Sequence, residues 1–299
     1  MQRMTHTFDD ITSLDNLLGA WEEFVVGKRE RTDVRQVAQS LFHHLLLLHH
    51  DLRNGQYIHG GYERFTVSDP KPRIIHKATI RDRVLHRAIY RVLYPAFDTT
   101  FIHDSYSCRN NKGTHRAVRR LVDFTRQVSR NGTQPCWALK LDIRKFFDSI
   151  DHAILLELLA TRIVDEPLMA LLEQIIGSFC ITRCTGLPLG NLTCQLFANV
   201  YLDPLDKFVK HQLKVRHYLR YADDFVLLGQ DKRRLIEQMI DIQEFLSTRL
   251  RLRIHPDKIS FRKLRQGIDV VGYVVLTHHS VLRTRTKRRM LRRVTETNL

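Results

Sequence analysis

The tetrapeptide Tyr221-Ala222-Asp223-Asp224 decides how this chain is interpreted. It stands between two short, mainly apolar runs, His217 to Leu219 and Phe225 to Leu228. Apolar residues, a tight polar turn and apolar residues again predict a β-hairpin. Two adjacent carboxylates at a hairpin tip repel each other, so the pair costs stability unless a cation neutralises it. The tip therefore indicates a site for a divalent cation.

A third carboxylate belongs to an earlier segment. Leu139 to Ile143 predicts a short strand in which Asp142 faces opposite to its two apolar neighbours. Taken alone, Asp142 would be interpreted as a solvent-facing aspartate at a strand end. Together with Asp223 and Asp224, it completes the set of carboxylates that a pair of Mg²⁺ ions needs for in-line phosphoryl transfer.

Composition limits the partners of the protein. The 299 residues suffice for one large domain or two to three subdomains around a shared core, and the hydrophobic content of 43% is ordinary. The net charge of +16 favours nucleic acid as the partner, with an anionic membrane second. No apolar run reaches the roughly 18 residues of a membrane span, and Met1 to Asp10 lacks the apolar stretch of a signal peptide. We therefore expect a cytoplasmic protein that does not bind membranes.

The five cysteines form no paired framework, which favours a reducing compartment. Cys180 and Cys184, with His211 and His217 downstream, leave a zinc site as an alternative, although buried thiols are the ordinary interpretation.

Periodicity along the chain predicts a mixture of helices and strands without strict alternation, which indicates an α+β fold. Asp33 to His50 predicts one helix, and Gly60 to Ile75 predicts a turn-rich segment. A helix from Ile80 should end before Pro95, and Val270 to Leu276 predicts a short strand. Seven basic residues lie in the tail from Arg283 to Arg293.

The chain resembles bacterial reverse transcriptases from about Pro70 to Tyr273. Seven motifs carry the resemblance, in the order of the family. They are Lys71-Pro72-Arg73-Ile74-Ile75 with Arg81-Asp82-Arg83-Val84-Leu85, Ser105-Tyr106-Ser107-Cys108-Arg109 with Lys112-Gly113-Thr114-His115, the Asp142 segment (motif A), Gly186 to Gln195 (motif B), Tyr221 to Asp224 (motif C), His255 to Lys258 (motif D) and Val270 to Tyr273 (primer grip).

The resemblance implies a right-hand polymerase with an antiparallel-sheet palm, helical fingers and a short or partial thumb. On this basis we expect four parts: an N-terminal helical extension, fingers, a palm with an inserted helical segment at about 152–190, and the basic start of a reduced thumb. Their ranges are 1–65, 66–135, 136–275 and 276–299.

The resemblance also implies roles for single residues. Asp142 and Asp223 would be the principal ligands of two Mg²⁺ ions, with Mn²⁺ as an alternative ion, the Ile143 carbonyl as a further ligand and Asp224 in support. The residues implied in nucleotide binding are Lys71, Arg73, Phe147 (with Phe146 competing for its place), Leu189, Gly190, Gln195 and Lys258. Those implied in template or primer contact are Arg109, Asn110, Lys112, Gly113, Tyr221, Gly272 and Tyr273.

Motif B departs from the pattern of many reverse transcriptases. They carry Gln where this chain has Leu189, and Ser-Pro where it has Cys194-Gln195. An aliphatic residue before Gly190 and a Gln in place of Pro resemble the diversity-generating retroelement branch and related unclassified or defence-associated enzymes. Leu189 cannot hydrogen-bond a nucleotide or template, and a lost hydrogen bond is worth about 0.5–1.5 kcal/mol. We therefore predict error-prone synthesis.

These observations lead to three functional hypotheses. The first is an RNA-directed DNA polymerase, bacterial or phage-encoded, that copies a dedicated structured RNA into cDNA in a diversity-generating retroelement. The second is an antiphage defence reverse transcriptase that copies a noncoding RNA. The third is a noncatalytic RNA-binding scaffold with a polymerase fold. The expected partners are template RNA, the cDNA product, deoxynucleoside triphosphates and either a small basic accessory protein or further copies of the chain.

Overall fold

A computed structural model describes residues 4–68 and 72–297 of the chain. Helices and strands are both well represented in it. The helices are α1 (Phe8–Thr12), α2 (Leu14–Val25), α3 (Thr32–Gln39), α4 (Leu41–Arg53), α5 (Ile80–Asp98), α6 (Thr114–Ser129), α7 (Phe146–Ser149), α8 (His152–Ala160), α9 (Glu166–Gly177), α10 (Leu192–Lys207), α11 (Lys232–Arg249) and α12 (Thr284–Thr297). The strands are β1 (Tyr62–Val67), β2 (Arg73–Ala78), β3 (Trp137–Asp142), β4 (Tyr218–Tyr221), β5 (Asp224–Gly229), β6 (Ser260–Lys263), β7 (Ile268–Val270), β8 (Tyr273–Val275) and β9 (Ser280–Leu282). This mixture confirms the predicted α+β class.

The chain divides into two compact units. The first contains Met1–Phe101 and Phe147–Leu202, and the second contains Ile102–Phe146 and Asp203–Leu299. Each unit is therefore built from two separate stretches of sequence. The four domain ranges expected from the family resemblance stay predictions.

The first unit is mainly helical. Helix α2 packs on α4 and α5, and α8 packs on α9. The buried residues of α2 follow helical spacing, because Leu17, Ala20, Trp21 and Phe24 lie on one face. Strands β1 and β2 add an antiparallel hairpin in which Tyr62 pairs with Ala78.

Three predictions for the first unit were wrong in detail. The single helix over 33–50 is divided into α3 and α4 at Ser40, whose φ of −130° is not helical. Most of the segment predicted as turn-rich belongs to the paired strands β1 and β2, and its residues 69–71 lie outside the described residues; β1 is mostly exposed and so lacks an alternating pattern. Helix α5 continues through Pro95 to Asp98. Pro95 is exposed, so water can bond the Arg91 carbonyl that the missing N–H leaves without its helical donor.

The second unit is built on a four-stranded sheet with the strand order β4-β5-β3-β6. All three pairings in this sheet are antiparallel. Helix α6 packs on it through residues such as Leu121 and Phe124, which share a buried cluster with Val226 and Leu228. This cluster joins α6 to β5.

A smaller sheet with the order β7-β8-β9 follows. The single strand predicted over 270–276 is divided, because Val271 and Gly272 form a turn with φ values of 43° and 90°. None of the helices in the described ranges, 4–68 and 72–297, has the length and apolar character needed to cross a membrane.

Candidate active site

The predicted acidic hairpin is present. Strands β4 and β5 pair antiparallel, with Tyr221 opposite Asp224, so that Ala222 and Asp223 alone form the loop. Ala222 has a φ of 54°, and a positive φ at the first loop position is typical of the tight turns that match strand twist. The turn therefore places Asp223 and Asp224 at the very end of the sheet.

Asp142 ends the neighbouring strand at the same level. It lies directly opposite Asp224 in the β3–β5 register, and Cβ atoms of directly paired residues are about 4.5–5.5 Å apart. The next residue connects to the third acid, because the Ile143 N–H donates to the Asp223 carbonyl at 3.2 Å. The His255 N–H donates to the Asp142 carbonyl at 2.8 Å, which fixes the strand end from the other side. Three aspartates from distant parts of the sequence are thus neighbours in space.

Two lysines lie against these carboxylates. Lys258 Nζ is 2.5 Å from Asp142 Oδ1, and the Asp142 side chain is 11% exposed. Lys140 Nζ is 3.7 Å from Asp224 Oδ1. Both ammonium groups offset the repulsion that clustered carboxylates would otherwise cause.

The environment changes the acidity of one aspartate. Burial, which disfavours the charged form, raises the pKa of Asp224 to about 6. The positive charge of Lys140 opposes this shift, whereas hydrogen bonding to Asp142 and the negative charges of Asp142 and Asp223 add to it. Near neutral pH the site thus holds one carboxyl group that takes up a proton easily.

The donor set suits a hard divalent cation. Carboxylate and carbonyl oxygens are the ligands that Mg²⁺ and Mn²⁺ prefer, and Asp142, Asp223, Asp224 and the Ile143 carbonyl could supply them. Within 4–68 and 72–297, however, no group of three or more His, Cys, Asp or Glu side chains is already arranged to hold an ion. Asp142 is instead paired with Lys258. Side-chain rotation would therefore have to accompany metal binding.

Lys140 was not identified from the sequence. It precedes Asp142 by two residues on β3, so the two side chains project from the same face of the strand. That spacing was a usable signal, because residues i and i+2 of a strand share a face. Its significance depended on the β3–β5 register, which brings Asp224 within reach of its ammonium group.

The motif B loop lies in the first unit, where it is attached to β2. The His76 N–H donates to the Leu189 carbonyl at 2.9 Å. Gly190 has a φ of +113°, and a Cβ at this position would lie 2.6 Å from Ile75 Cγ2. Only glycine meets both the backbone and the packing requirement here.

Asn191 holds the same loop and was also missed. Its Nδ2 donates to the carbonyls of His76 at 2.9 Å and Pro188 at 3.3 Å, and its Oδ1 accepts from the Ala78 N–H at 3.4 Å. Asn191 is almost completely buried. An asparagine beside a glycine is ordinarily taken for a turn residue, so the sequence contained no signal of this role.

The other residues predicted to bind the nucleotide are distributed as follows. Arg73 is exposed on β2, and Lys71 lies outside the described residues. Phe147 is half-buried while Phe146 is buried, so of the two rings only that of Phe147 retains exposed surface. Gln195 is exposed on α10. Their roles stay predictions.

The predicted template loop lies in the second unit. Arg109 Nη1 donates to the carbonyls of Ile102 at 2.7 Å and Ser105 at 3.2 Å, and Lys112 Nζ donates to the His103 carbonyl at 2.8 Å. These cations therefore stabilise their own loop. Asn110 is exposed, and Gly113 adopts a φ of +99° before α6.

The residues predicted near the primer also belong to the second unit. The hydroxyls of Tyr221 and Thr114 are 3.2 Å apart. Tyr273 makes an edge contact with His115, with the ring centroids 6.0 Å apart. The Arg283 N–H donates to the Gly272 carbonyl at 2.9 Å, which ties the β7–β8 turn to the start of α12.

The two cysteines of the alternative zinc site are both free thiols. Cys180 and Cys184 are exposed, which corrects the interpretation that they are buried thiols. No metal-binding group that includes them is present in the part of the chain that the structure describes.

Comparison with known proteins identifies the family. The family model for reverse transcriptase (RNA-dependent DNA polymerase) matches residues 68–275, more than half of the chain. Protein YkfC of Escherichia coli is 24% identical over 277 residues, which cover 79% of this chain and 72% of that protein. The group II intron-encoded protein LtrA of Lactococcus lactis is 26% identical over 174 residues, which cover 55% of this chain and 28% of LtrA.

Solved structures show the same fold. Apo telomerase from Candida tropicalis, truncated from its C-terminal domain, superposes with a TM-score of 0.54 at 13% identity, over 75% of this chain and 55% of that one. Telomerase from Candida albicans in complex with a fragment of telomeric RNA gives a TM-score of 0.55 at 12% identity, over 76% of this chain and 46% of that one. The chain thus spans about half the length of these structures, and the likeness concerns the fold alone. The match to the family model over residues 68–275 shows that the chain belongs to the reverse transcriptase family of RNA-dependent DNA polymerases.

Proposed function

We propose that the chain is an active RNA-directed DNA polymerase that copies a structured RNA into cDNA. The observation that supports this most directly is the level at which β3, β4 and β5 end. There Asp142 lies opposite Asp224, and the Ile143 N–H binds the Asp223 carbonyl at 3.2 Å. A noncatalytic scaffold would have no use for three carboxylates at one sheet end, because their mutual repulsion costs stability.

Reverse transcriptase domains generally use divalent metal ions, and two Mg²⁺ ions bound here would stabilise the attacking and leaving oxygens of the phosphoryl transfer. Asp142, Asp223, Asp224 and the Ile143 carbonyl would hold them. Lys258 would leave Asp142 and present the proton of its ammonium group to the departing pyrophosphate. The Lys258 side chain is 43% exposed, which leaves it room to change partners.

Arg73 and Phe147 would contribute to nucleotide binding. The Arg73 guanidinium would grip the triphosphate, since its planar fork matches two phosphate oxygens at once. The Phe147 ring would exclude a 2′-hydroxyl and so select deoxynucleotides. Its half-buried position leaves ring surface available for that contact.

We further propose a retroelement of the diversity-generating type. Leu189, where many relatives carry Gln, and Gln195 support this assignment. The likeness to the intron-encoded LtrA supports a retroelement origin in general. The telomerase structures that contain telomeric RNA support a structured RNA as the partner.

Primer extension tests the proposed activity. The wild type, with an RNA template, Mg²⁺ and deoxynucleoside triphosphates, should extend a DNA primer, and Asp223→Asn should reduce extension to background while RNA binding persists. Asp241→Asn is the matched control, because Asp241 is an exposed aspartate on α11. A wild type that binds RNA but incorporates nothing would favour the scaffold hypothesis and refute this one.

Sequencing of the cDNA tests the subtype. The wild type should misincorporate often, and Leu189→Gln should lower the error rate. Equal and low error rates in both proteins would contradict the diversity-generating assignment. A defence role would be favoured if the RNA that copurifies with the wild type were a noncoding transcript that matches no variable repeat in a target gene.

A further inference from the structure

A buried arginine lies directly behind the acidic turn. Arg220 is the last residue but one of β4, and its exposure is 0%. Its Nε donates to both carboxylate oxygens of Asp206, at 2.8 and 3.0 Å, and its Nη2 donates to Asp206 Oδ2 at 2.8 Å. Asp206 lies on α10 and is also 0% exposed. The two residues form an ion pair that is completely shielded from water.

The remaining arm of the guanidinium reaches the turn. Arg220 Nη1 donates to the Ala222 carbonyl at 3.1 Å. That carbonyl belongs to the same planar peptide group as the Asp223 N–H. The Ile143 N–H holds the next peptide group through the Asp223 carbonyl at 3.2 Å. Asp223 is therefore fixed from both sides, by Arg220 before it and by Ile143 after it.

The backbone conformation of the turn needs such support. Ala222 has a φ of +54°, a region that residues other than glycine rarely adopt. A hydrogen bond to its carbonyl favours this conformation over a relaxed one. Without this hydrogen bond, the peptide group between Ala222 and Asp223 could rotate, and the Asp223 side chain would then project from the sheet in another direction.

The arginine is itself fixed. The Arg220 N–H donates to the Asp104 carbonyl at 2.9 Å, and the Arg220 carbonyl accepts from the Tyr106 N–H at 3.0 Å. The Tyr218 hydroxyl donates to Asp206 Oδ1 at 2.7 Å and orients the carboxylate. Hydrogen bonds thus hold both the Arg220 backbone and the Asp206 carboxylate, and together they fix the direction of the guanidinium.

Stability alone does not explain this arrangement. A buried ion pair pays a large desolvation penalty, and well-packed apolar residues are often as stable in its place. What apolar residues cannot do is hold a carbonyl oxygen. We propose that Arg220 and Asp206 are positioning residues: they fix the Ala222 peptide and thereby the direction in which Asp223 presents its carboxylate to a metal ion. The inference rests on the metal site in the proposed function.

Two variants separate positioning from folding. Arg220→Lys keeps the buried charge pair, but its single nitrogen lacks the planar fork in which Nε and Nη2 face Asp206 while Nη1 faces the Ala222 carbonyl. The triple variant Arg220→Met, Asp206→Leu, Tyr218→Phe removes the charges and the hydroxyl together, so no buried charge is left unpaired and the Ala222 carbonyl loses its donor. Arg120→Lys is the matched control, because Arg120 Nε donates to the buried Asp104 carboxylate at 2.8 Å without touching the turn.

The readouts are Mn²⁺ binding to the RNA-free protein by electron paramagnetic resonance, the Mg²⁺ dependence of primer extension, and the melting temperature. We expect both folded variants to bind Mn²⁺ about 10- to 100-fold more weakly, the range typical of lost support behind a metal ligand. The Mg²⁺ concentration for half-maximal extension should rise in parallel, and Arg120→Lys should match the wild type. Wild-type Mn²⁺ affinity in either folded variant would overturn the inference. A wild type that binds no Mn²⁺ would instead overturn the metal site on which the inference rests.

Discussion

At the scale of single residues, the acidic cluster combines repulsion with compensation. Asp224 lies directly opposite Asp142 on the adjacent strand. Lys140 is paired with Asp224, and Lys258 is paired with Asp142. Because burial raises the pKa of Asp224 to about 6, this carboxyl group is protonated in mild acid when no metal is bound. A metal ion must displace that proton, so metal affinity and pH are linked.

We therefore predict that Mn²⁺ affinity falls with pH. With a pKa of about 6, the fraction of Asp224 that is ionised at pH 5 is roughly a tenth, so affinity at pH 5 should be about tenfold weaker than at pH 8. Titration of Mn²⁺ by electron paramagnetic resonance at both pH values measures this. Asp224→Asn should bind more weakly at pH 8 but show a flatter pH dependence. Equal wild-type affinity at pH 5 and pH 8 would contradict the prediction.

A buried histidine predicts a pH dependence of stability. His86 is 1% exposed, its Nε2 is 3.2 Å from His59 Nε2 and its Nδ1 is 3.2 Å from Thr193 Oγ1. Burial, and next the neighbouring His59, lower the pKa of His86 to about 3, from 6.5 in the unfolded chain. The unfolded state thus binds more protons between these values, and the stability that neutral His86 provides is present above pH 6.5 and lost as pH falls towards 3.

At pH 5 this loss amounts to about 2 kcal/mol in the free energy of unfolding. Urea denaturation at pH 7.5 and pH 5.0 measures it, and His86→Gln supplies the comparison because Gln does not titrate. The wild type should lose about 2 kcal/mol more than the variant between the two pH values. The same pH dependence in both proteins would show that His86 is not the source.

Residues of the site could be predicted only where neighbouring residues in the sequence indicated their role. The acids Asp223 and Asp224 are adjacent in the sequence and interrupt an apolar pattern, so their turn could be predicted directly. Arg220 could not, because an arginine near a strand end is ordinarily exposed. Its burial is explained only by Asp206, which lies 14 residues earlier on a helix. A pairing between distant elements leaves no periodic trace in one sequence.

At the scale of elements, the attachment of the motif B loop to β2 gives a sharp test. Gly190→Ala would place a methyl group 2.6 Å from Ile75 Cγ2 in a backbone with a φ of +113°. Such strained positions cost of order 1–3 kcal/mol, so the loop should move or the first unit should lose stability. We expect a lower melting temperature and reduced primer extension.

Gly177→Ala is the matched control for this change. Gly177 ends α9, and a Cβ there would meet nothing within 4 Å. Alanine is the better helix former by about 1 kcal/mol, so this variant should be as stable as the wild type or slightly more so. A Gly190→Ala protein as stable and active as Gly177→Ala would refute the proposed role of the loop contact.

The elements that were predicted wrongly have two different physical causes. Strand β1 was missed because its residues are mostly exposed, so burial imposes no alternation on the sequence. Helix α5 was predicted to end at Pro95, yet Leu93, Tyr94 and Phe97 are buried around that residue. Their packing offsets the single lost helical hydrogen bond. In β1 the burial pattern that predicts a strand was absent, whereas in α5 tertiary packing overrode the local preference of proline.

At the scale of the whole molecule, the charge of +16 favours binding to RNA, the partner in the proposed function. Each phosphate that a basic residue neutralises releases counterions, so binding weakens as salt rises, with a slope of about −0.7 per contact on single strands. Helix α12 carries part of this charge, and the apolar side chains of Met290, Leu291 and Val294 are about half exposed on it. An exposed helix rich in Lys and Arg has the composition of a nucleic-acid contact.

We predict that α12 contributes to RNA binding. Replacement of Lys287, Arg288 and Arg292 by Gln should reduce the magnitude of the slope of log affinity against log salt by about 2, as expected for three lost phosphate contacts. Fluorescence anisotropy with a labelled RNA over a range of salt concentrations measures this slope. The control removes Arg233, Arg234 and Arg249, which are exposed on α11 and change the net charge by the same amount. An equal change of slope in the two triple variants would mean that only the total charge matters, because a localised contact must depend on where the three charges lie.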